Sequence, residues 1–171
     1  MNQFLLTVLQ KKKLNDFIKL MLGNEKISYS ILNLSNVYGP RQDPHGEAGV
    51  MSIFTRKMLS NEKPIIYGDG NQTRDYVYVA DVVSALIKSS ENDNDLFLNI
   101  GTGVETSVND LVKLIATITS WEGQPDYKPQ RDGELLRSVL NNEKAKKNLD
   151  WKPEFDINKG IEELVNWFKN S

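Results

Sequence analysis

Arg74 is the side chain of this sequence best placed to do chemistry. It stands in residues 67–81, YGDGNQTRDYVYVAD, between a Gly-Asp-Gly turn and an alternating apolar run of Tyr76, Val77, Tyr78 and Val79. A guanidinium held between a turn and a strand is suited to bidentate contact with a phosphate or a carboxylate. The competing assignment is structural, a surface salt bridge from Arg74 to Asp69 or Asp75. Composition narrows the other chemistries. The chain has no cysteine, which excludes a thiol nucleophile and disulfides. Its single histidine, His45, excludes a multi-histidine metal site. A net charge of −2, with both signs well mixed, gives no reason to expect a nucleic-acid or membrane partner. No apolar run approaches the ~20 residues of a membrane span. The N-terminus, MNQFLLTVLQKKK, places its charges after its apolar residues, the reverse of a secretory signal. The expectation is a soluble, cytoplasmic chain.

The elements that would position Arg74 follow from periodicity. The 171 residues fit one domain with a real core. Residues 1–10 show no amphipathic period. From Lys11, Leu14, Phe17, Ile18 and Met21 fall at helical spacing, and Gly23-Asn24 closes the helix. Ile27 to Leu34 reads as a buried strand, and NVYGPRQDPHGEAG (36–49) as a long loop of the kind that carries function. A helix is expected over Val50 to Leu59, with Met51, Phe54, Met58 and Leu59 on its apolar side. Pro64 to Tyr67 is a short strand. Asp81 reads as the N-cap of a helix that turns Val82, Val83, Leu86 and Ile87 inward. Strands follow at Leu96 to Ile100 and Asp126 to Lys128, with helices at Val108 to Ile118, Asn142 to Leu149 and Ile157 to Lys169. Ile161, Leu164, Val165 and Phe168 mark the core face of the last helix. This mixture is α/β or α+β.

Gly101-Thr102-Gly103 follows a strand and precedes a helix, like the opening of a dinucleotide-binding turn. The third glycine of that pattern is replaced by Thr106, and Ser107 with Asp110 makes an ordinary N-cap for the following helix. A turn and cap is the better assignment.

Taken together, NVYGPRQ (36–42), GEAGVMSIF (46–54), YGDGNQTRDYVYVADVVSA (67–85), LNIGTG (98–103) and RDGE (131–134) resemble the extended short-chain dehydrogenase/reductase family. The nearest branch is that of the UDP-glucose 4-epimerases and related UDP-hexose epimerases, NAD-dependent isomerases of carbohydrate metabolism. The resemblance runs through residues 11–171 in the family's order. It implies an α/β, Rossmann-type fold, of which this chain holds the C-terminal substrate-binding part and some residual Rossmann strands and helices. It also implies site residues. Arg74 and Arg131 resemble the pair that clamps the substrate diphosphate, and two planar cations from distant segments suit a pyrophosphate. Asn36 resembles a side-chain donor to the sugar nucleotide. Gly49, Val50 and Phe54 resemble the segment that wraps the uridine end, and Tyr67 begins the strand along the nucleotide pocket. Asp69, Asp75 and Asp81 are expected to be a turn partner and helix caps. Tyr78 stands where the family often has histidine, and Asn33 where it often has arginine.

The family's first half is a Rossmann domain whose glycine-rich turn holds NAD, and nothing like that turn is present. Also absent is the Tyr-x-x-x-Lys pair, in which the lysine charge lowers the tyrosine's pKa so that the tyrosinate takes a sugar hydroxyl's proton. It should precede the helix starting at Lys11, where the sequence reads FLLTVLQKKK. One permitted codon set for Asn2 to Lys11, read two bases on, encodes Ser-Ile-Ser-Pro-Tyr-Cys-Ser-Ser-Lys, which contains the family's signature. Residues 1–10 are therefore expected to be an out-of-frame leader, with family-like sequence from Lys11. The chain is expected to bind a UDP-sugar at most, to bind no NAD alone, and to lack turnover alone. The alternatives are half of a split enzyme, completed by a separate N-terminal NAD-binding chain, and a non-catalytic UDP-sugar-binding module. The family is commonly dimeric through helices flanking the Tyr-x-x-x-Lys segment, of which Lys11 to Leu22 is one, so a homo-oligomer stays open.

Overall fold

The computed structural model describes residues 3–23, 27–43 and 49–171. The expectations for residues 1–2, for His45 and for the GEA at the start of GEAGVMSIF lie outside the described residues.

The strand β4 (Thr73–Tyr78) joins the two halves of the core. Successive side chains of a strand point to opposite faces, and here both faces are covered. Tyr76 and Tyr78 enter one apolar cluster while Val77 enters the other. On one edge β4 pairs in parallel with β2 (Asn36–Tyr38), which sets Asn36 opposite Tyr76. It also pairs antiparallel with β6 (Glu105–Ser107) and in parallel with β8 (Arg137–Ser138). A second sheet is the parallel pair β1 (Ser30–Leu34) and β5 (Leu96–Ile100), and a third is β3 (Ile65–Tyr67) with β7 (Asp126–Lys128).

The first cluster is built by the apolar faces of α2 (Val50–Leu59), α4 (Val108–Thr119) and α6 (Ile157–Lys169). Met51, Phe54, Leu111, Ile115, Ile161 and Leu164 meet there against Tyr76 and Tyr78. The second cluster packs Val82 and Ala85 of α3 (Val79–Ser90), Leu98 and Ile100 of β5, Ala145 of α5 (Glu143–Leu149), and Trp151. The boundaries of α2 and α6 are those expected from periodicity. α4 starts at Val108 with Ser107 as its cap, the hydroxyl accepting from the Asp110 amide at 3.0 Å.

Several expectations need correction. The first helix, α1 (Gln3–Leu22), begins at Gln3 rather than Lys11, and Leu14, Phe17, Leu20 and Met21 are exposed on it. β1 begins at Ser30 rather than Ile27, and part of the expected loop after it is the strand β2. Asp81 is not a cap. α3 starts at Val79, and the Asp81 carboxylate accepts from the amides of Glu154 (2.8 Å) and Phe155 (3.2 Å), tying a remote segment to α3. Burial raises the Asp81 carboxyl above its ordinary value, against the pull of these two bonds. Of the four α3 residues expected inward only Val82 is buried, while Val83, Leu86 and Ile87 are about half exposed. The face that packs is Val82, Ala85 and Ser89, one step around the helix. No helix among the described residues is long and apolar enough to cross a membrane.

Candidate binding cleft

All seven residues singled out from the sequence line one cleft of about 450 Å³: Asn36, Gly49, Val50, Phe54, Tyr67, Arg74 and Arg131. They come from five separated segments, so only the fold brings them together. Gly49 and Val50 open α2, and Phe54 sits one turn along on the same helix, 3% exposed. Asn36 begins β2, and its side-chain amide has no hydrogen-bond partner among the described residues.

Tyr67 ends β3, immediately before the Gly-Asp-Gly turn. Gly68 and Gly70 have φ of 78° and 77°, and a Cβ on Gly70 would strike the Asn109 side chain. Only glycine fits both requirements at position 70. Asp69 accepts from the Asn71 amide at 2.9 Å and is the turn partner expected of it. Gln72 then donates to the Tyr67 carbonyl at 2.8 Å, locking the turn to β3.

Arg74 makes neither of the salt bridges weighed for it. Its Nη1 donates to the carbonyls of Thr73 and Leu135, both at 2.8 Å, and its Nη2 lies 3.7 Å from Glu134. The neighbouring Asp75 points to the other face and is no helix cap; it is the partner of a turn remote in sequence. It is 1% exposed and accepts from Thr102 N (2.8 Å), Thr102 Oγ1 (2.7 Å), Gly103 N (3.1 Å) and Leu140 N (3.3 Å). The Gly101–Gly103 turn therefore wraps a carboxylate of its own chain, and the amides a phosphate would use are engaged.

The second cation arrives on a tight turn. Residues 131–134 close through Glu134 N donating to Arg131 O at 3.3 Å, with Gly133 at φ 74° in the third position, where a type II turn needs it. The turn carries Arg131 and Glu134 into the same cleft. The Arg131 guanidinium lies 3.9 Å from the Tyr67 ring centroid. A hydrogen bond from Arg131, and its charge, hold the Tyr67 hydroxyl below the usual phenol range.

The apolar part of the lining is contributed by Val50, Ile53, Phe54, Ile65, Ile66 and Val108. Sequence reasoning passed over four polar residues of the cleft: Lys57, Gln72, Tyr76 and Glu134. The signal for Lys57 was available, since it stands one helical turn beyond Phe54 on α2. Glu134 Oε2 is buried without a hydrogen-bond partner. A buried acceptor left open costs about 1–3 kcal/mol, which makes it a place for a ligand hydroxyl. The cleft thus presents three cations, one open carboxylate oxygen and an apolar wall. Among the described residues no group of three His, Cys, Asp or Glu side chains could hold a metal ion.

The family model described as GDP-mannose 4,6 dehydratase matches residues 15–164. The chain belongs to the extended short-chain dehydrogenase/reductase family. Within this family it is 51% identical over 156 residues to a putative UDP-glucose 4-epimerase of Methanocaldococcus jannaschii, covering 91% of this chain and 50% of that one. It superposes on the UDP-glucose 4-epimerase of Thermotoga maritima, solved with UDP-glucose, with a TM-score of 0.91 at 43% identity, covering 95% of this chain and 52% of that one. It also superposes on the Thermus thermophilus UDP-glucose 4-epimerase, solved with NAD, with a TM-score of 0.82 at 32% identity over 92% of this chain and 51% of that one. The chain therefore spans about half the length of the extended short-chain dehydrogenase/reductase relatives it matches, and its fold is the Rossmann-like α/β fold of that half.

Proposed function

We propose that this chain is the nucleotide-sugar-binding half of a UDP-hexose 4-epimerase. The observation that carries the reading is the convergence of Arg74 and Arg131 with apolar side chains of α2 in one cleft. A nucleoside-diphosphate sugar combines the same two features, a planar base at one end and two phosphates in the middle. Arg74 and Arg131 take the diphosphate from different segments, Asn36 donates toward the sugar, and Gly49, Val50 and Phe54 enclose the base beside Tyr67. Glu134 accepts from a hydroxyl of the ligand. Residues 11–171 form the working unit, and residues 1–10 are an out-of-frame leader that sequencing the gene would test. Hydride removal and return at the sugar belong to NAD, and the residues we assign to this chain bind and orient the substrate. The function we assign to the isolated chain is binding without turnover.

Calorimetric titration with UDP, with and without NAD, tests the reading. The expected result is UDP binding that Arg131→Ala weakens by roughly 10–100-fold, the worth of a charge-assisted hydrogen bond. NAD should add nothing. Absence of UDP binding, or an Arg131→Ala chain that binds equally well, would overturn the assignment. A second reading, half of a split enzyme, is favoured by the exposed apolar residues of α1, α3 and β5, and its consequences belong to the whole molecule.

A further inference from the structure

Most polar side chains of the cleft have partners within the chain. Lys57 pairs with Glu62 at 3.1 Å, and Gln72 donates to the Tyr67 carbonyl at 2.8 Å. Tyr76 differs. It is 5% exposed, and its hydroxyl is buried without a hydrogen-bond partner among the described residues. An unpaired buried hydroxyl is unfavourable unless something supplies the missing bond. Its place on β4 fixes its surroundings. Arg74 and Tyr76 stand two residues apart on this strand, so their side chains leave the same face, and both line the cleft. The Arg74 charge is felt at the Tyr76 hydroxyl, pulling against the burial that raises it. Tyr76 also borders a second cavity, but neither carboxyl residue of that cavity, Glu154 or Asp156, acts on its hydroxyl. In the parallel register Asn36 stands opposite Tyr76 and lines the same cleft, about 5 Å away across the ladder. Tyr76 therefore sits between Arg74, assigned to the diphosphate, and the end of the cleft that Asn36 marks for the sugar.

We propose that the Tyr76 hydroxyl donates a hydrogen bond to the sugar-side phosphate of the bound nucleotide sugar. The inference rests on the nucleotide-sugar reading of the cleft and refines it by one residue and one phosphate. The chemistry is matched. A diphosphate ester offers only acceptors at neutral pH, and a phenol that keeps its proton is a donor to them. A bond from a neutral donor to an ionised oxygen is of the stronger kind. Arg131 lies over the Tyr67 ring, at 3.9 Å, toward the base, and so takes the base-side phosphate. In the empty cleft the unmet hydroxyl is a cost to the chain, and binding removes that cost. Tyr76 thus adds affinity for the diphosphate without adding stability to the fold.

The test is Tyr76→Phe in the full chain, which removes one oxygen and keeps the packing of the ring. Calorimetric titration should show UDP binding weakened by roughly tenfold, as the loss of a hydrogen bond to a charged acceptor implies. UMP, which lacks the sugar-side phosphate, should bind the variant and the unaltered chain equally. The thermal midpoint of the ligand-free variant should hold or rise, because an unpaired buried hydroxyl has been removed. Affinity lost with no stability lost is a combination that a merely structural tyrosine would not give. Unchanged UDP binding, an equal loss for UMP, or a midpoint that falls with the affinity would each overturn the proposal. Arg131→Ala separates this outcome from failure of the wider reading. If the unaltered chain binds no UDP, both fall; if Arg131→Ala weakens UDP binding and Tyr76→Phe does not, only the role of Tyr76 falls.

Discussion

Arg74 and Asp75 are neighbours on β4 with opposite duties, and the strand's alternation makes that possible. Arg74 turns to the cleft, where carbonyl oxygens of Thr73 and Leu135 fix its guanidinium. Asp75 turns to the interior and collects three backbone amides and one hydroxyl. Removing Asp75's charge would leave buried N–H groups facing a weaker acceptor or a competing donor. Asp75→Asn is therefore expected to cost about 2–3 kcal/mol of folding stability, measured by urea denaturation. Arg74→Ala should cost about 1 kcal/mol, less than Asp75→Asn, because it removes hydrogen bonds to two part-buried carbonyls that can accept from water in its place, while weakening UDP binding. Comparable losses of stability in both variants would mean that Arg74 is a structural residue after all. Tyr76, next along, has its hydroxyl pushed up to about 12 by burial, so it stays protonated and available for hydrogen bonding across the physiological range.

At the scale of the elements, the Ser107 cap of α4 shows how local chemistry holds a site together. The amides of Val108 and Asn109 donate to Gln72 O (3.2 Å) and Gly70 O (3.0 Å), so the start of α4 supports the turn that carries Arg74. Ser107→Ala should lower stability by about 1 kcal/mol, read from the thermal midpoint. The Ser107 hydroxyl, and then Lys113, hold the Asp110 carboxyl below its ordinary value. A depressed carboxyl contributes stability above its unfolded pKa of about 4 and loses it as pH falls through the folded value. The gap between wild type and Ser107→Ala should accordingly narrow on acidification; a gap that widens would contradict this assignment. The cap was legible because it lies within four residues of sequence, as were α2 and α6, whose apolar periods are unbroken. Asp81 was misread for the opposite reason. It looks like a cap locally, yet its partners are the amides of Glu154 and Phe155, far along the chain. The inward face of α3 was misplaced because four apolar residues share one short helix, and only the packing beneath it decides that Val82 alone of them is covered. The cleft residues were legible as motifs, but their convergence needed the tertiary turn at 131–134.

At the scale of the whole molecule, the apolar surface divides sharply. The faces around β4 are covered, whereas Leu20 of α1 is 74% exposed, Leu86 of α3 51% and Phe97 of β5 40%. β1 and β5 pair only with each other among the described residues, so each offers a free outer edge. Lys19 over the Phe97 ring, at 4.4 Å, is a thin cover for that side. A net charge of −2 gives little repulsion to keep copies apart. The isolated chain should self-associate through this side, and light scattering should report a mass above the 19.5 kDa monomer. Leu86→Lys with Phe97→Lys should reduce that mass and leave UDP affinity unchanged, because neither residue lines the cleft. The split-enzyme reading adds a sharper expectation. A co-expressed N-terminal half of the Methanocaldococcus relative should pair with the open β1–β5 edges, hold the chain as a 1:1 complex, and be excluded by the two lysines. A chain that remains monomeric alone and ignores that half would show that this surface is tolerated in water, leaving the binding module as the reading to pursue.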